Sequence, residues 1–113
     1  MSLTNDKTKT RAFLQDMYND DYFPKHLVDK GKQILVRLCE RIEKDKPADE
    51  VALYKLTHAA TEEFNDLAEQ FDDEGSELET AARESIGEEF WFVANAYGFE
   101  HADSETLIAT REW

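Results

Sequence analysis

LYKLTHAATEEFNDLAEQF, residues 53–71, decides the fold of this chain. Its apolar residues Leu53, Leu56, Ala60, Phe64, Leu67 and Phe71 step by three and four throughout. That spacing lines one side of an α-helix and no face of a strand. A helix with one apolar stripe must bury it against a neighbour. Pro47 precedes the segment, and Gly75 suits a left-handed position just beyond an end near Glu74.

The same periodicity extends outward in both directions. Upstream, Pro24 opens a helix running to about Lys44, with Leu27, Gly31, Ile34, Leu35, Leu38 and Ile42 on one stripe. Gly31 costs about 1 kcal/mol relative to Ala there, and so predicts close approach of a neighbouring helix. Before it, Phe13, Leu14 and Met17 mark the apolar side of a short helix over 6–18, interrupted by Asp20, Asp21 and Pro24. Downstream, Ser76-Glu77-Leu78-Glu79 reads as a capping box, with Ser76 at the N-cap and Glu79 at N3. It opens a helix bearing Leu78, Ala82, Ile86, Val93, Ala96 and Tyr97. Gly98 closes that helix, Phe99 folds back toward Val93, and one more turn or short helix is expected after Asp103 or Ser104. Alternation of period two is absent. The expected fold is all-α: an antiparallel bundle of four to five helices with no sheet. It forms a single helical domain over 6–113, after a disordered N-terminus or expression scar at 1–5.

Charge is divided unevenly along the chain. Residues 1–46 carry ten bases against eight acids, whereas residues 47–113 carry 18 acids against Lys55, Arg83 and Arg111. The net formal charge of −13 repels nucleic acid and anionic lipid surfaces, and favours basic proteins or metal cations. Cys39 is the only cysteine, which rules out an intramolecular disulfide and a cysteine-based zinc site. No stretch approaches the ~18 apolar residues of a membrane span. The first residues carry no apolar signal region, so a cytoplasmic location follows by elimination.

Chemistry has few places to sit. His58 and Glu62 are four apart, and such a pair can supply two ligands to Zn²⁺ or another divalent cation. The repeated Glu-x-x-His of di-iron bundles is missing, and no cofactor is otherwise predicted. The helical projection puts His58 nearly opposite the apolar stripe, where it is solvated on an outer helix or meets a second packing layer on a central one. Around it, Tyr54, His58, Thr61, Glu62 and Asn65 form a polar stripe unlike a plain Lys/Glu solvent face. It reads as a polar recognition face, and Thr61, a mediocre helix former, points to a tertiary contact.

Glu89 projects into the apolar stripe of its helix. A carboxylate there must be paired, hydrogen-bonded or protonated. It is either a general acid/base or ligand, or half of a buried ion pair with Lys30, Arg37 or Arg41. Trp91 points away from that stripe, so it lies under the tail that ends in Trp113 or in an interface with another chain. The acidic run 69–79 lacks the ligand spacing of a calcium loop. It is a solvated turn or a docking site for a basic partner.

NDDYFPKHLVDKGKQIL (19–35), LYKLTHAATEEFNDL (53–67) and SELETAARESIGEEFWFVANAYGF (76–99), with the closing ATREW, resemble a family of small bacterial proteins described only as a domain of unknown function. The resemblance covers roughly residues 12–113. It implies a bacterial, intracellular, free-standing domain and assigns no functional residue. The chain is therefore read first as a non-enzymatic protein-interaction module docking a basic partner or itself. The alternative is a small metal-dependent or acid/base enzyme using His58, Glu62 and Glu89.

Overall fold

Two long helices, α3 (Lys25–Asp45) and α4 (Glu50–Asp73), form the frame of the molecule. A computed structural model of the chain describes residues 3–113. The frame is antiparallel, and its seam is polar at the rim. His26 meets Glu74 at 2.8 Å, Lys30 Nζ donates to Gln70 at 2.6 Å, and Arg37 Nη2 donates to Glu63 at 2.9 Å. Each pair of residue numbers sums to 100, the signature of a single antiparallel register. Between the two helices Lys46 adopts a left-handed conformation, φ 47°. Asp49 then caps α4 by accepting from the Ala52 N–H at 2.9 Å.

The remaining helices are α1 (Asp6–Lys9), α2 (Gln15–Tyr18), α5 (Thr80–Ala96) and α6 (Ser104–Leu107). No strand occurs among the described residues. α5 packs on α3 and α6, α1 and α2 lie against α5, and α6 also meets α4. The bundle is all-α, as the periodicity requires. Leu53, Ala60, Phe64, Leu67 and Phe71 are buried, and Leu56 is half-buried. Phe64 meets Phe90 edge-on with ring centroids 5.9 Å apart, and Phe23 meets Phe71 at 6.2 Å. Gly31 sits where helices crowd: a Cβ there would lie 3.0 Å from Leu14 Cδ1 and 3.2 Å from Phe64 Cε1. The close approach expected of that glycine is present.

Two expectations about helix boundaries are corrected. The single helix over 6–18 is two short helices, because Leu14 takes a left-handed conformation, φ 60°, and gives its N–H to Glu89 rather than to a helical carbonyl. Phe13, Leu14 and Met17 are buried nonetheless. The capping box at Ser76 is also absent. Gly75, φ 78°, ends α4 in a Schellman turn, in which the Ser76 N–H donates to Phe71 O at 2.9 Å and the Gly75 N–H to Asp72 O at 3.0 Å. That turn buries Ser76, whose hydroxyl has no partner among the described residues. Helix α5 starts four residues later, with Glu79 at its N-cap and no side-chain cap.

At the other end of α5, Gly98 (φ 90°) makes the same turn: the Phe99 N–H donates to Ala94 O at 2.8 Å, and Phe99 is half-buried. The short helix expected after Asp103 is α6, capped by the Asp103 carboxylate on the Thr106 N–H at 2.9 Å. Of the stretch 1–5, Met1 and Ser2 lie outside the described residues. Thr4 and Asn5 give their N–H groups to the Glu43 carboxylate at 2.9 and 3.2 Å.

Candidate functional site

The polar stripe of α4 is taken up by the chain's own C-terminal segment. Tyr54, His58, Thr61 and Asn65 recur at helical spacing, and the segment runs along them in the same direction. The Asp103 N–H donates to Tyr54 Oη at 3.0 Å, and His58 Nε2 lies 2.7 Å from Thr106 O. Thr61 Oγ1 reaches Leu107 O at 3.4 Å. Asn65 uses both ends of its amide, donating to Thr110 O at 3.1 Å and accepting from the Glu112 N–H at 2.8 Å. The Trp113 ring then meets Phe64 with centroids 6.1 Å apart.

This is the second packing layer, and it explains Thr61, which is fully buried. A carbonyl oxygen only accepts, so His58 Nε2 carries the proton and only Nδ1 keeps a lone pair. Glu62 is exposed. Among the described residues no group of three or more His, Cys, Asp or Glu is arranged to hold a metal ion.

Glu89 is buried, as its position in the stripe requires, with a side-chain exposure of 5%. Its partner is neither Lys30, Arg37 nor Arg41 but Arg11. Both Nε and Nη2 of Arg11 donate to Glu89 Oε1, at 3.0 and 2.8 Å, while the Leu14 N–H donates to Oε2 at 2.5 Å. The three bases on α3 were expected because α3 is the neighbouring basic helix. The break between α1 and α2 instead brings Arg11 over the top, its guanidinium carbon 4.3 Å from the centroid of Phe92. The sequence held one hint of this: Arg11 is the only base between Lys9 and Lys25, and it stands two residues before the apolar Phe13. Around the pair lies an open cleft of about 320 Å³, bordered by Gln15, Asp16, Ser85 and Glu88. Glu89 lines that cleft, with three hydrogen bonds from Arg11 and Leu14 already made to its carboxylate.

A second polar cluster has no counterpart in the sequence reading. Glu43, on the rim of α3, accepts from the Tyr97 hydroxyl as well as from Thr4 and Asn5, and Thr8 Oγ1 lies 3.1 Å from Tyr97 Oη. Burial acts to raise the Glu43 carboxyl, but these donors outweigh it and hold the group below the usual glutamate value. Such a depressed carboxylate stabilises the fold above the ordinary glutamate range, and the contribution is lost as acid protonates it. Cys39, beside this cluster, is fully buried, and burial pushes its thiol up to about 12.

Trp91 is 47% exposed. It borders a cleft between α5 and the C-terminal segment instead of lying beneath that segment.

A family model, described as a family of unknown function (DUF5713), matches residues 7–113. The chain belongs to this family. DUF5713 thus takes in every helix from α2 to α6 and all of the contacts between α4 and the C-terminal segment. No curated protein and no solved structure matches the chain. Among the described residues no helix is long and apolar enough to cross a membrane.

Proposed function

We propose that this DUF5713 protein is a non-enzymatic protein-interaction module of the bacterial cytoplasm, which docks a basic partner through its acidic side. The observation that carries the reading is the crowding of unneutralised acid where α4 turns into α5. Asp72, Asp73, Glu77 and Glu79 are all exposed, and none has an ion-pair partner among the described residues. Hydrogen bonding with Glu79 and the charge of Glu79, then desolvation and last the charge of Asp72, push the Glu77 carboxyl above its ordinary value. Carboxylates that repel one another in water are relieved by an incoming cation, and the lysines and arginines of a basic surface provide several at once. The engagement of the other polar groups supports the same reading. His58 is committed to Thr106, Glu89 to Arg11 and Leu14, and Glu43 to Tyr97. The enzyme alternative requires His58 and Glu89 to act together, yet they serve different segments of the chain. The lone buried thiol suits a reducing compartment.

The test is binding of a Lys/Arg-rich peptide, with an acidic peptide of equal length as control. Capture at low salt, weakening steeply as salt rises and lost in Asp72→Asn/Asp73→Asn/Glu77→Gln, is the expected result. Capture that is indifferent to salt or to that triple substitution would refute docking through this turn.

A further inference from the structure

Of the three bases in residues 47–113, two border one cleft of about 470 Å³ between α5 and the C-terminal segment: Arg83 and Arg111. Its apolar strip is Trp91 with Ile108, and the helix surface between them is bare because position 87 is glycine. A Cβ on Gly87 would come within 3.6 Å of Ile108 Cδ1, so any larger side chain would fill the strip. Glu84, Glu88 and Glu105 flank it with the opposite sign.

Arg111 is held by Glu105 at 3.2 Å. Arg83, Glu84 and Glu88 have no ion-pair partner among the described residues. The position four after Arg83 is Gly87, and Glu79, four before it, makes no ion pair with it; Glu84 and Glu88 are four apart and repel each other.

We propose that this cleft is the interface of a two-fold homodimer. In it Arg83 of one protomer lies against Glu84 and Glu88 of its partner, and the Trp91 rings pack at the centre. A two-fold contact is self-complementary, so a patch must carry both signs if it is to match its own copy. The crowded acids of the α4–α5 turn meet like charge on a second copy, and two chains of net charge −13 repel. The Trp91 cleft holds both signs around an exposed aromatic anchor, the residue type that dominates interface energetics. A wholly basic partner would leave Arg83 facing like charge, whereas a second copy offers it Glu84 and Glu88, which is why the occupant is a second copy. This inference deepens the interaction-module reading and rests on it, but it concerns a different surface from the acidic turn.

Sedimentation equilibrium over a wide concentration range tests it. The mass of the wild-type chain should move from 13.1 kDa towards twice that value. Trp91→Ala and Arg83→Glu should each weaken association by about tenfold or more, with helical circular dichroism unchanged because both side chains are exposed. Glu84→Lys/Glu88→Lys should be monomeric alone. Mixed with Arg83→Glu, it should restore the dimer, since both symmetry-related contacts then pair opposite charges. A wild-type chain that stays at 13.1 kDa throughout overturns the proposal. So does a dimer indifferent to both single variants, or a mixture that fails to associate. Peptide capture scored on the same samples separates the two readings. A monomer that still captures the basic peptide fails this inference alone, and a dimer that captures none fails only the docking of a basic partner.

Discussion

At the scale of single residues, Glu89 holds the most consequential position. A buried carboxylate with 5% side-chain exposure is tolerated because Arg11 and the Leu14 N–H occupy its oxygens. Glu89→Ala removes the acceptor of a buried backbone N–H and the partner of Arg11 together, so a loss of more than about 2 kcal/mol is expected in urea denaturation. Glu89→Gln keeps an acceptor for Leu14 and loses only the charge, so its loss should be the smaller of the two. A change under about 0.5 kcal/mol for Glu89→Ala would mean that water already satisfies the site. The demand for a partner was legible, since an acid in an apolar stripe must be answered. The identity of the partner was not. Arg11 and Glu89 are 78 positions apart, and the left-handed Leu14 that brings them together is itself held by the carboxylate.

Among the elements, the two long helices were the most readable because each carries its own evidence. The stripes of α3 and α4 are continuous and their ends are marked by Pro24, Pro47 and Gly75. The start of α5 was misplaced for a physical reason. The Schellman turn at Gly75 buries Ser76, so the best capping residue in the region is spent on the preceding helix end. The true N-cap, Glu79, is extended (φ −89°, ψ −165°) and gives no side-chain bond to the first turn. Glu79→Ser should therefore gain about 1 kcal/mol from capping, with further relief from removing the charge that crowds Glu77. An unshifted denaturation midpoint would show that the first-turn N–H groups are already satisfied. The polar stripe of α4 stood out as a composition unsuited to open solvent. Its occupant stayed hidden because the C-terminal segment carries almost no periodicity. It is recognised by its backbone, since Thr106, Leu107 and Thr110 offer carbonyls and Asp103 and Glu112 offer N–H groups.

For the whole molecule, the uneven charge of the sequence is only partly cancelled by the fold. Along the α4 seam Arg37 of α3 meets Glu63, and His26 meets Glu74 in a contact that is an ion pair only when the imidazole is protonated. These pairs are partly exposed, and each is worth about 0–1 kcal/mol. Against them stands the self-repulsion of a chain with net charge −13, spread over a body measuring 40 × 26 × 20 Å. At ~0.01 M ionic strength the screening length is about 30 Å, so charges across most of the molecule repel one another. At ~0.1 M it falls to about 10 Å, which silences the distant repulsions. The contact pairs, at 2.8 and 2.9 Å, are weakened far less. Raising the salt over that range should therefore raise the melting temperature, measured by circular dichroism at fixed pH and low protein concentration. A melting temperature that falls with salt would mean that the α3–α4 pairs outweigh the net repulsion. The acidic exterior would then be better compensated than its formal charge suggests, and the case for a basic partner would lose its electrostatic basis.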